Sequence, residues 1–165
     1  MKQSILIIFF LIASFTVKSQ SVNIITSDEF DAVTINKTTL LNLKKTNGKQ
    51  SKVEGLLGAS TFYEATEFFY HFKFDGLKLD FSNMENQPFI ESFEILNNKV
   101  VLTIKNIAIT IGDNISKLGE VNFSKGRNGS KSILYSTCED CDIMINIEFD
   151  QTTNIITKIS YFDMS

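Results

Sequence analysis

The chain has no tryptophan, one proline, one histidine and two cysteines in 165 residues. Each shortage removes a class of function. With His71, Cys138 and Cys141 as its whole supply of imidazole and thiol, the chain lacks the second ligand pair that a zinc site wants. A nucleophile, base and orienter would have to be built around one histidine to which the sequence assigns no partner. Paired carboxylates for glycoside chemistry need two acids facing one cleft, and here the acids are scattered. A lone proline leaves no Pro-rich linker. Sixteen Lys and Arg against 19 Asp and Glu give a formal charge of −3 without a basic stripe, a poor match to nucleic acid or anionic lipid. No cofactor is expected.

Long apolar runs are also missing. The most continuous one, Ile5 to Phe15, is far short of the ~20 residues that a helix needs to cross a bilayer. Lys2 ahead of it and Val17-Lys18-Ser19 behind it give the layout of a secretory signal peptide cut before Gln20. Residues 1–19 therefore read as a leader. Its removal takes Lys2 and Lys18 and moves the formal charge from −3 to −5. No cysteine stands near the cut for lipid attachment. The product is expected to be soluble, periplasmic or secreted, with no membrane segment after cleavage, in a compartment where disulfides persist.

What remains reads as α+β and as two rounds of one pattern, 20–98 and 99–165. After a polar lead-in (Ser21 to Asp31), Ala32 to Ile35 is a short strand and Thr38 to Lys45 a short helix. Ser51 and Glu54 have capping-box spacing for a second helix stopped by Gly58. Phe68, Tyr70, Phe72 and Phe74 then alternate with Glu67, Phe69, His71 and Lys73. The Asp75-Gly76 turn leads into Leu77, Leu79 and Phe81, a strong hairpin signal. A third strand runs near Phe89 to Leu96. The second round opens with Val100 to Lys105 and Ile107 to Ile111, followed by a short helix that Asp113 caps and Gly119 ends. Ser132 to Thr137, Asp142 to Phe149 and Asn154 to Phe162 close it as three strands. Each half is expected to pack one or two short helices on a three- to four-stranded antiparallel sheet.

These features, Ser51 through Gly58, Gly112-Asp113 through Leu118-Gly119 and the strand triplet after each, resemble the tandem β-lactamase-inhibitor-protein-like architecture. The pattern is also similar to small outer-membrane assembly lipoproteins of the SmpA/OmlA type, apart from the missing lipid-attachment cysteine. The resemblance implies helices on one face of the sheet and an open face that serves a protein partner.

The expected partner-binding residues are Phe69, His71, Lys78, Asp80 and Glu94, on the face opposite Tyr70 and Phe72, with Ile90, Ser92 and Leu96 beside Glu94. Such a mixture of aromatic, aliphatic and charged groups suits a protein contact. It also suits an ordinary sheet surface. Cys138-Glu139-Asp140-Cys141 reads as a structural disulfide across a hairpin turn; free or metal-bound thiols and a redox pair are the alternatives, with the neighbouring acids opposing a low thiol pKa. Gly126 to Ser132 lacks both the Walker spacing and the following helix, and reads as a loop. The function expected is a non-enzymatic protein-binding module: an inhibitor, an immunity-type protein or an envelope-assembly factor. The rivals are a carrier holding a small apolar ligand or lipid between helices and the Phe-rich sheet, and a hydrolase with polar groups converging near His71.

Overall fold

A computed structural model describes residues 21–84, 87–125 and 129–164. The leader and Gly126 to Asn128 of the Gly-rich loop lie outside these residues. Thirteen strands form two sheets. In chain order the elements begin with β1 (Val22–Ile24), α1 (Ser27–Asp31), β2 (Thr34–Ile35), β3 (Thr38–Thr39), α2 (Leu40–Lys44) and α3 (Gln50–Leu57). A run of four strands follows: β4 (Phe62–Ala65), β5 (Phe69–Phe74), β6 (Leu77–Ser82) and β7 (Phe89–Ile95). Next come β8 (Leu102–Ile104), β9 (Ile107–Ile109) and a single 3-10 turn (Ile115–Leu118). The chain ends in β10 (Ser124–Lys125), β11 (Lys131–Ser136), β12 (Ile143–Phe149) and β13 (Ile156–Asp163).

The large sheet has the order β1-β11-β12-β13-β7-β6-β5-β4, with β10 also on β11. The small sheet has the order β3-β2-β8-β9. Strands β4 to β7 thus meet strands β10 to β13 at the antiparallel β7–β13 pair, and hairpin β2–β3 meets hairpin β8–β9 at the antiparallel β2–β8 pair. Both hairpins turn through two residues with positive φ, Asn36 (48°) with Lys37 (73°) and Lys105 (49°) with Asn106 (63°). That is the type I′ geometry whose twist matches paired strands.

One face of the large sheet carries the core. Phe72, Leu79, Phe81, Phe93, Ile145, Ile147, Ile159 and Tyr161 are at most 1% exposed and join Leu40, Leu43 and Val53 of the helices in one cluster. The Phe93 and Tyr161 rings stack at 5.2 Å across the β7–β13 seam, and Phe30 of α1 packs on Tyr161 at 6.1 Å. Area burial of large side chains such as these, at ~25 cal/mol per Å², is the main stabilising term. Helices and sheet are therefore packed directly on each other where a carrier would need its cavity.

Several local expectations are corrected. The polar lead-in holds β1 and α1, and the capping box sits there: the Thr26 hydroxyl accepts from the Glu29 N–H at 3.1 Å, and Glu29 accepts from the Thr26 N–H at 2.8 Å. At α3 the cap is Lys49, without a side-chain bond. Glu54 instead accepts from the Ser60 hydroxyl and from Gln50, tying the helix to the loop beyond it. Asn114 rather than Asp113 caps the 3-10 turn. Asp113 takes the Thr110 N–H and the Lys117 ammonium, which holds its carboxyl below the usual range. Gly58 (φ 91°) and Gly119 (φ 71°) do stop their helices in backbone that favours glycine.

Candidate functional site

The opposite face of the large sheet is the candidate site, and strand register builds it. Directly paired residues share a face, so the rows across the sheet can be read off. One row runs Glu64, His71, Asp80, Ser92, Phe162 and Met144. The next runs Phe62, Lys73, Lys78, Glu94, Ser160 and Asn146. Two aromatic rings are exposed on it, Phe62 at 41% on the edge strand β4 and Phe162 at 39% on the interior strand β13.

Between them lie two paired carboxylates, Asp80 and Glu94. His71 Nδ1 lies 2.8 Å from Asp80 Oδ1, and the Ser92 hydroxyl donates to Asp80 Oδ2 at 3.1 Å. Glu94 is bridged by two ammoniums, Lys158 at 3.0 Å and Lys78 at 3.3 Å. The Lys158 hydrogen bond, more than the Lys78 one, holds the Glu94 carboxyl below its usual pKa, and the same contact raises Lys158. Glu91 goes the other way, raised by burial and then by Asp80. A shallow depression of about 400 Å³ over Phe62, Glu64, His71, Lys73, Lys78 and Asp80 continues through Lys78 and Asp80 into a second of about 210 Å³ over Ser92, Glu94, Lys158, Ser160 and Phe162.

Of the expected residues, His71, Lys78, Asp80 and Glu94 fall on this face in contact networks. Phe69 is half-buried and stacks on His71 with centroids 5.7 Å apart. Two expected neighbours leave the patch. The register between β6 and β7 shifts at Asp80/Phe81, so Ile90 turns into the core at 1% exposure, and Leu96 lies past the end of β7. A β-bulge swaps faces in this way, and plain alternation does not reveal it. Phe62 and Phe162 were not singled out from the sequence. Phe62 belongs to β4, a four-residue strand without a turn signal of its own, while Phe162 could have been found by continuing the alternation from Lys158.

Among the described residues His71 pairs with Asp80 and stacks on the Phe69 ring. Among the described residues there is no cluster of three or more His, Cys, Asp or Glu that could hold a metal, and no helix long and apolar enough to cross a membrane. Cys138 and Cys141 are joined as a disulfide at the β11–β12 turn. The Thr137 hydroxyl lies 3.4 Å from the Cys141 sulfur.

No family model and no curated protein matches this chain. Among solved structures it is similar to an extracellular protein containing an SCP domain from Bacillus anthracis, at 12% identity and a TM-score of 0.43, over 71% of this chain and 43% of that one. It is also similar to a cysteine-rich secretory protein from Staphylococcus aureus, at 12% identity and a TM-score of 0.36, over 69% of this chain and 42% of that one. The chain thus spans less than half the length of either. The neighbours found are an SCP-domain protein and a cysteine-rich secretory protein, not β-lactamase-inhibitor-protein-like or SmpA/OmlA-type folds, so that resemblance is withdrawn. The short helix-and-meander motifs that carried it are too generic to single out those families. What stands is a mostly β, α+β chain with a disulfide-bonded pair.

Proposed function

We propose that this protein is an exported binding module without catalytic activity, made of two fused α+β units that share one sheet. Its function is to present the open sheet face to a protein partner, as an inhibitor, immunity-type or envelope-assembly factor. The observation that carries the reading is the face itself. Two aromatic rings stand exposed on a face where Asp80 is engaged by His71 and Ser92 and Glu94 by Lys78 and Lys158. Such a surface offers aromatic anchors of the kind that dominate interfaces. The type I′ hairpins and the meeting of like segments at β7–β13 and β2–β8 support two fused units. The apolar leader and the Cys138–Cys141 bridge support export into an oxidising compartment.

The test is affinity capture from envelope and culture-fluid extracts with the mature protein and with Phe62→Ser and Phe162→Ser. Both rings are exposed, so the variants should fold. A partner retained by the parent and lost by both variants is the expected result. Equal recovery of every captured protein by all three would remove the sheet face as the site.

A further inference from the structure

Residues 32–53 contain five lysines, Lys37, Lys44, Lys45, Lys49 and Lys52, and no acid, in a chain whose formal charge is −3. The fold gathers them around α2 and α3. Leu40, Leu43 and Val53 turn into the core, so the other side of both helices faces away from the large sheet. Lys44 is held by Asp31 at 2.6 Å. Lys37, Lys45, Lys49 and Lys52 are exposed and form no ion pair among the described residues. Glu54, the next acid along the chain, is engaged by Gln50 and Ser60.

Each helix sets one of these lysines beside an exposed leucine. Leu41 and Lys45 stand four apart on α2 and its cap, and Lys52 and Leu56 stand four apart on α3, a spacing that puts each pair on one side. The two leucines are 39% and 40% exposed. A shallow groove of about 510 Å³ runs between the helices, lined by Asn42, Lys45, Thr46, Lys52, Gly55 and Leu56. The Thr38 hydroxyl donates to the Leu56 carbonyl at 3.2 Å, which brings Lys37 of the β2–β3 turn to the same end of α3.

The composition of this face sets it apart from the open sheet face. Residues 32–57 include no arginine and no aromatic residue, whereas protein interfaces are enriched in both and depleted of lysine. Lysine is a hydrated point charge on a flexible stem, which suits a diffuse anionic surface better than one fixed geometry. Lysines set beside leucines on exposed helix are the pattern of segments that lie in a bilayer interface.

We propose that the α2–α3 face docks on a bilayer surface carrying anionic headgroups, with Leu41 and Leu56 entering the headgroup layer and Lys37, Lys45, Lys49 and Lys52 meeting its phosphates. The formal charge of the whole chain averages over this segment and hides it. A molecule docked this way keeps its open sheet face turned outward. The two surfaces lie on opposite sides, and either reading can fail without the other.

Co-sedimentation of the mature protein with vesicles is the test, using phosphatidylcholine alone or phosphatidylcholine with about one third phosphatidylglycerol. Sedimentation is expected with the mixed vesicles only, with release near 1 M salt, where the screening length is about 3 Å. Each lysine close to such a surface strengthens binding about fivefold, so Lys45→Gln with Lys52→Gln should lower the partition coefficient about 25-fold. Lys125→Gln with Lys131→Gln removes the same charge from exposed positions on β10 and β11 and should leave binding within about twofold of the parent. No sedimentation with the mixed vesicles, an equal loss in both double variants, or no loss in Lys45→Gln with Lys52→Gln overturns the proposal. Retention of polyglutamate by a protein that ignores the vesicles also overturns it and gives the face to an acidic protein segment instead.

Discussion

Replacing Glu94 by glutamine asks whether the floor of the open face is held by charge or by shape. The carboxylate is 30% exposed and bridges Lys158 at 3.0 Å and Lys78 at 3.3 Å. Partly exposed pairs are each worth about 0.2–1 kcal/mol, so losing both costs on the order of 1 kcal/mol. Glutamine keeps the length and much of the packing, and the two ammoniums lose the charge between them. Urea unfolding at neutral pH should show an earlier midpoint with an unchanged slope. In a thermal melt the fall should be roughly 2–4 °C. The pH dependence fixes the cause. Because Glu94 titrates below its ordinary value in the folded protein, its contribution is complete above the unfolded carboxyl pKa of ~4.3 and is lost as pH falls through the lower folded value. Parent and variant should therefore converge in acid, and also near 1 M salt, where exposed charges are screened within about 3 Å. A gap that persists in acid and in high salt would mean that glutamine packs badly, and the charge argument would be wrong.

Two further perturbations probe the frame around the site. At Gly48 an added Cβ would meet the Tyr70 ring and lie 3.1 Å from Phe81 Cγ, at φ 65°. Gly48→Ala should thus cost about 2–4 kcal/mol in chemical denaturation, from left-handed strain and overpacking together; a loss under half a kcal/mol would show that the ring moves freely. For the Cys138–Cys141 bridge the closed loop is short, and the chain-entropy model gives about 2 kcal/mol for its removal. Mass spectrometry of the non-reduced protein should find neither thiol alkylated without reductant, and labelling of both would refute the bridge.

How far the sequence could be read depended on which residues carried the signal. Period-two alternation placed β5, β6 and β12, where Phe72, Leu79 and Ile145 are buried and Lys73, Lys78 and Asn146 are not fully so. Asp75-Gly76 marked its hairpin, with Gly76 at φ 91°. Alternation failed at Ile90, because the β6–β7 register shift is a property of two strands together. The Ser51–Glu54 spacing suited a cap, yet the helix is capped two residues earlier, at Lys49, and Glu54 serves Ser60. His71, Lys78, Asp80 and Glu94 were placed on one face from parity alone. Their pairing, and the recruitment of Lys158 from the far end of the chain, came from the β7–β13 contact that no local pattern encodes.

That β7–β13 pair also sets the order in which the molecule can be completed. The final strand, Ile156–Asp163, is an interior member of the sheet, hydrogen-bonded to β12 on one side and to β7 on the other. Strands β4 to β7 can pair with their neighbours as soon as they exist, but β7 keeps an open edge until more than sixty further residues have arrived. Contacts of such sequence separation form late and slowly. The sheet therefore stays unlocked until Ile156–Asp163 is in place, and that strand acts as its clasp. A truncation before Ile156 would split the sheet down its middle and leave two raw edges, a far worse outcome than trimming a strand from its border.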